Sequence, residues 1–251
     1  KAGDYELTGN LSQIALLDYL IKGNAKQNEI KFIEGWTFAQ IRKVLNEHPA
    51  IEYKSAGLSD QQILQHIGAS ETAVEGIFFP DTYYFIKGSS DLDILQRAYK
   101  TMQNHLQNYW SERVESLPLN TPYEALILAS IIEKETGAES DRAEIAGVFI
   151  NRLRKGMKLQ TDPTVIYGLG EQFDGNLRKK DLLADQEYNT YTRAGLPPTP
   201  ISLPSLASIR AALNPAETDA LYFVAKGNGE SEFSTNLADH NKAVNKYQKQ
   251  Q

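Results

Sequence analysis

Between Glu124 and Glu135 the chain is nearly all apolar: Ala125-Leu126-Ile127-Leu128-Ala129-Ser130-Ile131-Ile132 offers no continuous polar face. Pro122 suits the first turn of a helix, and Thr136-Gly137 suits its end. A helix that is apolar all round has to be covered on every side, so the fold is expected to be assembled around this one. The apolar run falls well short of the roughly 20 residues that cross a bilayer. Two carboxylates, Glu133 and Glu135, close the helix. On most helices such acids are solvated charges. A helix C-terminus, however, carries partial negative charge, which disfavours an ionised acid and raises its pKa. A glutamic acid kept protonated near neutral pH is the proton donor that a glycosidic oxygen requires. A helical wheel leaves the choice open. Glu133 points toward the face opposite Glu124, and Glu135 lies nearer the helix mouth, where a cleft can open.

The length of 251 residues allows one large domain or two modest ones. The periodicity predicts an α+β chain in three parts. Residues 1–60 read as a small α/β module: a strand at Tyr5-Glu6-Leu7, a helix from Asn10 to Lys22 stopped by Gly23, a strand from Glu29 to Ile33, and a helix capped by Thr37. Residues 61–120 read as a helical connecting region. Ser59 caps Gln61 to Ile67, a Gly- and Pro-containing aromatic corner runs from Glu75 to Tyr83, and Asp91 caps a helix from Ile94 to Tyr109. Residues 121–251 hold the apolar helix, a second helix from Asp141 to Arg154 ended by Gly156, and a long irregular region from Leu159. A short helix from Ser205 to Leu213, a β-hairpin around Lys226-Gly227-Asn228-Gly229 and a last helix from Asp239 to Tyr247 complete it.

Composition removes several chemistries. The net charge is −6 and no basic stripe exists, which argues against nucleic acid as a partner. Cysteine is absent, so disulfides, a thiol nucleophile and a cysteine metal site are excluded. His48, His66, His105 and His240 sit at no ligand spacing, and H-E-x-x-H is missing, so no metal site is expected. Neither a G-x-S-x-G elbow nor a P-loop occurs. Gly168-Leu169-Gly170 lacks the third glycine and the preceding strand of a dinucleotide site, and no cofactor is expected.

Two further constellations suit a sugar. Asn151-Arg152-Leu153 and Leu159-Gln160-Thr161-Asp162-Pro163-Thr164 supply amides and hydroxyls that match sugar hydroxyls and acetamido groups. Asp162 before Pro163 is equally a turn starter, and Arg152 equally a partner for a carboxylate. Tyr188-Asn189-Thr190-Tyr191, with Tyr167 upstream, sets aromatics beside amides, an arrangement that stacks on a sugar ring and bonds its edges. Taken singly, each aromatic is more often structural. Their clustering in an irregular region downstream of the acidic helix favours a site, because functional groups concentrate on loops held by a scaffold.

These segments resemble a known family. Ala129-Ser130-Ile131-Ile132-Glu133-Lys134-Glu135-Thr136, Val148-Phe149-Ile150-Asn151-Arg152-Leu153 and Leu159 through Gly168 closely resemble the MltG (YceG-like) endolytic murein transglycosylases. So do Tyr188-Asn189-Thr190-Tyr191, Gly195-Leu196-Pro197-Pro198 and Asn236-Leu237-Ala238-Asp239-His240-Asn241, with Glu34-Gly35 and Phe79-Pro80-Asp81-Thr82 upstream. The resemblance covers nearly the whole chain. It implies a partial LysM-like module followed by a larger, mostly helical lysozyme-like catalytic domain, with Glu135 as the catalytic acid. Glu133, Asn151, Gln160, Thr161, Asp162, Tyr167, Tyr188, Asn189, Thr190, Tyr191 and Asn236 are the residues expected to hold the sugar or support the acid. The implied substrate is peptidoglycan glycan, cut to 1,6-anhydro-N-acetylmuramic acid ends, with peptidoglycan synthases as candidate partners. The implied location is the extracytoplasmic (periplasmic) face of the inner membrane. The opening Lys1-Ala2-Gly3-Asp4-Tyr5 reads like the middle of a domain, so further N-terminal sequence is expected ahead of it, and the resemblance implies a membrane anchor there. Two other readings stay open on the residues alone: a glycan-binding scaffold in which Glu135 is structural, and a lysozyme-type hydrolase with Asp162 as second carboxylate.

Overall fold

The computed structural model describes residues 12–22 and 27–248. The expected strand at Tyr5-Glu6-Leu7 and the stop at Gly23 lie outside them. Helix α1, Gln13–Lys22, precedes β1, Asn28–Lys31, and α2, Phe38–Glu47, whose Phe38, Ile41 and Leu45 are buried. The Thr37 N–H donates to the Gln40 side chain at 2.9 Å, which anchors the start of α2. Strand β2, Ile51–Glu52, leads to α3, Asp60–Ile67, where Ser59 caps as expected by accepting from Gln62 N–H.

The aromatic corner contains a strand that the sequence did not announce. β3, Thr82–Phe85, pairs antiparallel with β1, with Ile30 opposite Tyr83, and Phe32 packs on the Tyr83 ring at 5.1 Å. β4, Ser89–Ser90, pairs parallel with β2. Helix α4, Asp91–Ser111, starts three residues before Ile94, and its cap is Ser90, which accepts from Leu92 N–H. Asp91 has another task. Its carboxylate is fully buried and accepts from the Lys54 and Ser55 backbone N–H groups at 2.9 and 3.2 Å. It therefore fastens the turn after β2 to α4.

The apolar helix is α5, Pro122–Glu135. The Thr121 side chain accepts from Glu124 N–H, and Ala125 through Ile132 are buried without a break. Helix α6, Glu139–Arg154, packs beside it. The region expected to be irregular contains two helices, α7, Asp162–Leu169, and α8, Lys179–Leu183. α7 begins with Pro163 in its first turn, where a missing N–H is harmless. Helix α9, Leu206–Leu213, packs closely on α5. The predicted hairpin is β5, Tyr222–Ala225, paired antiparallel with β6, Ser231–Ser234. α10, Leu237–Tyr247, starts two residues before Asp239 because Asn236 is its cap. Among the described residues no helix is long and apolar enough to cross a membrane.

α5 is the hub. Helices α4, α6, α7 and α9 all contact it, and one apolar cluster runs from Ile30 to Leu213 through its side chains. The single polar residue in its middle is matched. Ser130 Oγ donates to Ile127 O at 2.7 Å and accepts from Ile201 N–H at 3.0 Å, while Ser202 Oγ donates to Ser130 O. The strap at 201–203 continues into the loop before α2, where Gly35 N–H meets Leu203 O at 2.8 Å and Leu203 N–H meets Trp36 O at 2.7 Å. Leu128 is 0 % exposed. Leu128→Ala is expected to lower unfolding free energy by about 2–5 kcal/mol, through lost transfer energy and a cavity between rigid helices. Urea melts of the two proteins check this.

Candidate active site

The last turn of α5 separates the two candidate acids. Glu133 turns toward α9, where its Oε2 accepts from Ser205 N–H at 2.9 Å, Ser205 Oγ at 2.5 Å and Ser208 Oγ at 2.6 Å. A carboxylate on the N-terminus of α9 is well placed against that helix's dipole, so Glu133 sits in a structural junction outside the cleft. Glu135 turns the other way, into a cleft of about 450 Å³. That volume is within the usual range of small-ligand sites.

Glu135 Oε1 accepts a hydrogen bond from the Thr161 hydroxyl. Its carboxyl is pushed up from 4.5 to about 7, first by burial and then by the nearby charge of Asp162; the Thr161 bond and the charge of Arg152 pull the other way. The carboxyl is thus an acid that can hold its proton near neutral pH and release it to a ligand in the cleft.

The side of the cleft built by the 159–162 loop and Tyr191 contains three of the expected residues, Gln160, Asp162 and Tyr191. Tyr191 donates to Asp162 Oδ1 at 2.5 Å. Gln160 is exposed at the rim, with φ +51°, the sole positive φ at a non-glycine among the described residues. Such a conformation costs about 1–3 kcal/mol and persists where neighbours hold it. Here Gln160 N–H bonds to Thr190 O at 3.1 Å, and Thr161 N–H bonds to Thr190 Oγ1 at 3.1 Å.

The other expected residues stand behind this wall or away from it. Thr190, buried, holds the loop as described and also meets Thr164 Oγ1 at 2.9 Å. Asn189 Nδ2 donates to Asp181 O, Leu182 O and Ala184 O, closing the end of α8. Asn151 Nδ2 donates to Thr218 O at 2.6 Å and Ala220 O at 3.1 Å, which ties α6 to the approach of β5. Asn236 caps α10 by accepting from Asp239 N–H at 3.0 Å. Tyr188 bonds to Thr199 Oγ1 at 2.9 Å and packs edge-on against Tyr167 at 4.8 Å. None of these side chains lines the cleft.

Tyr167 reaches instead to Glu75. The Glu75 side chain accepts from Tyr167 Oη at 3.1 Å and from Phe38 N–H at 2.9 Å, so it joins α7 to the first turn of α2. Glu75 is 7 % exposed. Burial pushes its pKa up to about 7, against the pull of those two hydrogen bonds. Its neighbour Gly76 has φ +75°, and an added Cβ would lie 2.9 Å from Ser202 O and closer still to the Pro200 ring. Glycine is therefore required where this corner presses on the strap.

The convergence of the opposite wall was not legible in the sequence. It comprises Arg152 from α6, Tyr222 and Phe223 from β5, and Leu237 and His240 from α10. The Arg152 guanidinium lies over the Tyr222 ring at 5.0 Å, and His240 stacks on the same ring at 5.2 Å. Phe223 meets Phe149 edge-on at 5.8 Å. Among the described residues no three His, Cys, Asp or Glu side chains gather as a set of metal ligands.

Fold and cleft together define an α+β protein that holds a carboxyl of raised pKa at the head of an aromatic-walled cleft. The chain belongs to the YceG-like family, whose sequence model matches residues 1–246. It is 36 % identical over 265 residues to the endolytic murein transglycosylase of Bacillus subtilis, covering 98 % of this chain and 73 % of that protein. It is 29 % identical to the endolytic murein transglycosylase of Streptococcus pneumoniae, covering 97 % of this chain and 50 % of that one. The chain thus spans about half the length of the streptococcal relative. The crystal structure of a YceG-like protein from Listeria monocytogenes superposes with a TM-score of 0.66 at 30 % identity, covering 90 % of this chain and 80 % of that one.

Proposed function

We propose that this protein is a lytic transglycosylase that cleaves the β-1,4 bond between N-acetylmuramic acid and N-acetylglucosamine inside peptidoglycan strands, with Glu135 as its only acid and base. Family membership and relatives named endolytic murein transglycosylases support the class. The observation that carries the mechanism is the Glu135 carboxyl, raised to about 7 at the head of the cleft. Protonated Glu135 gives its proton to the glycosidic oxygen as the C1–O bond breaks, and N-acetylglucosamine leaves with a free 4-hydroxyl. The carboxylate then takes the proton of the muramyl C6 hydroxyl while O6 bonds to C1. The acid is regenerated, no water enters the product, and a 1,6-anhydro end remains. No second carboxylate is required, unlike the two-acid glycosidases. Asp162, bonded to Tyr191, acts in this reading by its charge on Glu135.

The remaining elements of the reading follow the family. Residues 1–60 form part of a LysM-like module, 61–120 a connector, and 121–251 a lysozyme-like catalytic domain. The full-length protein is anchored in the inner membrane with this part on its extracytoplasmic face. It ends nascent strands beside peptidoglycan synthases. Mass spectrometry of ends released from uncrosslinked glycan tests the chemistry. Anhydromuramyl ends are expected, and reducing muramic ends would overturn the lytic reading in favour of a hydrolase. The pH dependence follows from the same carboxyl. The free enzyme must carry the proton, so kcat/KM is expected to fall about tenfold per pH unit above roughly pH 7. A rate that kept rising to pH 9 would remove Glu135 as the acid.

A further inference from the structure

We propose that Arg152 is a positioning residue that acts through Glu135: a buried, fixed positive charge, set off from direct contact, that stabilises the Glu135 carboxylate after its proton has left. The inference rests on the lytic reading above. Arg152 is 7 % exposed and sits at the end of α6. Its Nε donates to Leu221 O at 2.6 Å, and its Nη1 donates to Leu159 O at 2.7 Å and Lys158 O at 3.4 Å. These carbonyls hold the guanidinium plane but carry no charge. No ion pair among the described residues includes Arg152. Its Nη2 makes no hydrogen bond among them, and the side chain lines the cleft. A buried cation without a contacting anion is costly, so this one needs a reason to be where it is.

The groups that face it name the reason. Tyr222 lies beneath the guanidinium and Tyr191 lies nearby across the cleft, with Glu135 the carboxylate that bears on it. His240, on the same Tyr222 ring, is held toward its neutral form by burial and by the Arg152 charge. Asp162 bonds to Tyr191. Magnitudes then decide between contact and offset. An arginine in direct contact lowers a carboxyl pKa by about 1–3 units and would leave Glu135 ionised at neutral pH, useless as a donor. Without the arginine, burial and Asp162 would make the carboxylate so unfavourable that the proton would leave slowly. An offset charge stabilises the anion while keeping the acid near neutrality.

The test is a carbon-13 titration of the Glu135 carboxyl, assigned by its loss in E135Q, with the pH profile of kcat measured alongside in wild type, R152K, R152Q and R152M. Removing the charge in R152M is expected to raise the Glu135 midpoint by about one unit, to move the descending limb of the profile upward equally, and to lower kcat at least about tenfold with KM little changed. R152K should keep the midpoint within a few tenths of a unit. R152Q retains a donor for the Leu159 carbonyl and should shift as R152M does, which covers the case of a misfolded methionine variant. A folded R152M or R152Q with an unmoved midpoint overturns the proposal, as does a raised KM with kcat intact, which would make Arg152 a holder of substrate anions. Release of reducing ends by wild type would instead sink the lytic reading while the titration result stood.

Discussion

Glu135→Gln is expected to remove essentially all anhydromuramyl ends from a glycan digest, a loss of at least about 10³-fold in kcat, at the upper part of what a general acid contributes. The size follows from the geometry. Glutamine can still accept the Thr161 hydroxyl that meets Glu135, so the local packing survives, but it has no proton to deliver and no anion to retrieve one. The melting temperature should be unchanged or slightly raised at pH 8, because a buried group that resists ionisation is replaced by one that never ionises. Substrate affinity, read by pull-down on purified sacculi, should persist. Retained activity in this variant would remove Glu135 as the acid, whereas a wild type that binds glycan and releases no ends would return the protein to the scaffold reading.

Glu75→Gln is expected to change how stability depends on pH, away from the Glu135 carboxyl. The Glu75 pKa is raised from 4.5 to about 7 in the folded chain, so between those values the native state binds a proton that the unfolded state does not. The stability this contributes is complete below about pH 4.5 and is lost as the pH rises through about 7. A shift of that size corresponds to about 3 kcal/mol. Relative to E75Q, the wild type is therefore expected to lose about that much between pH 4.5 and pH 8, seen in paired urea melts. Because Glu75 joins Tyr167 on α7 to Phe38 on α2, the amides of both helices should open more readily in wild type at the alkaline end. Parallel stability curves for the two proteins would mean that Glu75 titrates in the native state as it does in the unfolded chain.

Much of the scaffold was legible because its signals are local. The apolar run 125–132 could only be a buried helix, Pro122 marked its start, and the Gly-rich turn marked the β5–β6 hairpin. The failures are also physical. The region from Leu159 reads as irregular, yet Pro163 opens α7 at the turn where proline is tolerated and Gly170 lies just beyond its end. β3 was hidden in the aromatic corner because its alternation spans only four residues. At the site, Glu133 and Glu135 could not be separated from the chain alone, since what separates them is Ser205 and Ser208 some seventy residues on. Arg152 stood beside Asn151 as a possible partner for a carboxylate. Tyr222 and His240 carried no local mark, because three remote elements must converge before they share a wall. Asn151, Asn189 and Asn236 look like sugar-binding amides in sequence. In the fold their side chains serve backbone carbonyls and a helix cap.

Helix ends ordinarily fray, and α5 ends at Glu135, the acid of the proposed mechanism. Its neighbours on every side, and the Ser130 junction with the strap at 201–202, tie it into the core. In the proposed mechanism, proton delivery therefore borrows the rigidity of the core packed around α5. The amides of this final turn should exchange with solvent only when the entire domain comes apart, so the acid's aim and the protein's global stability are one property.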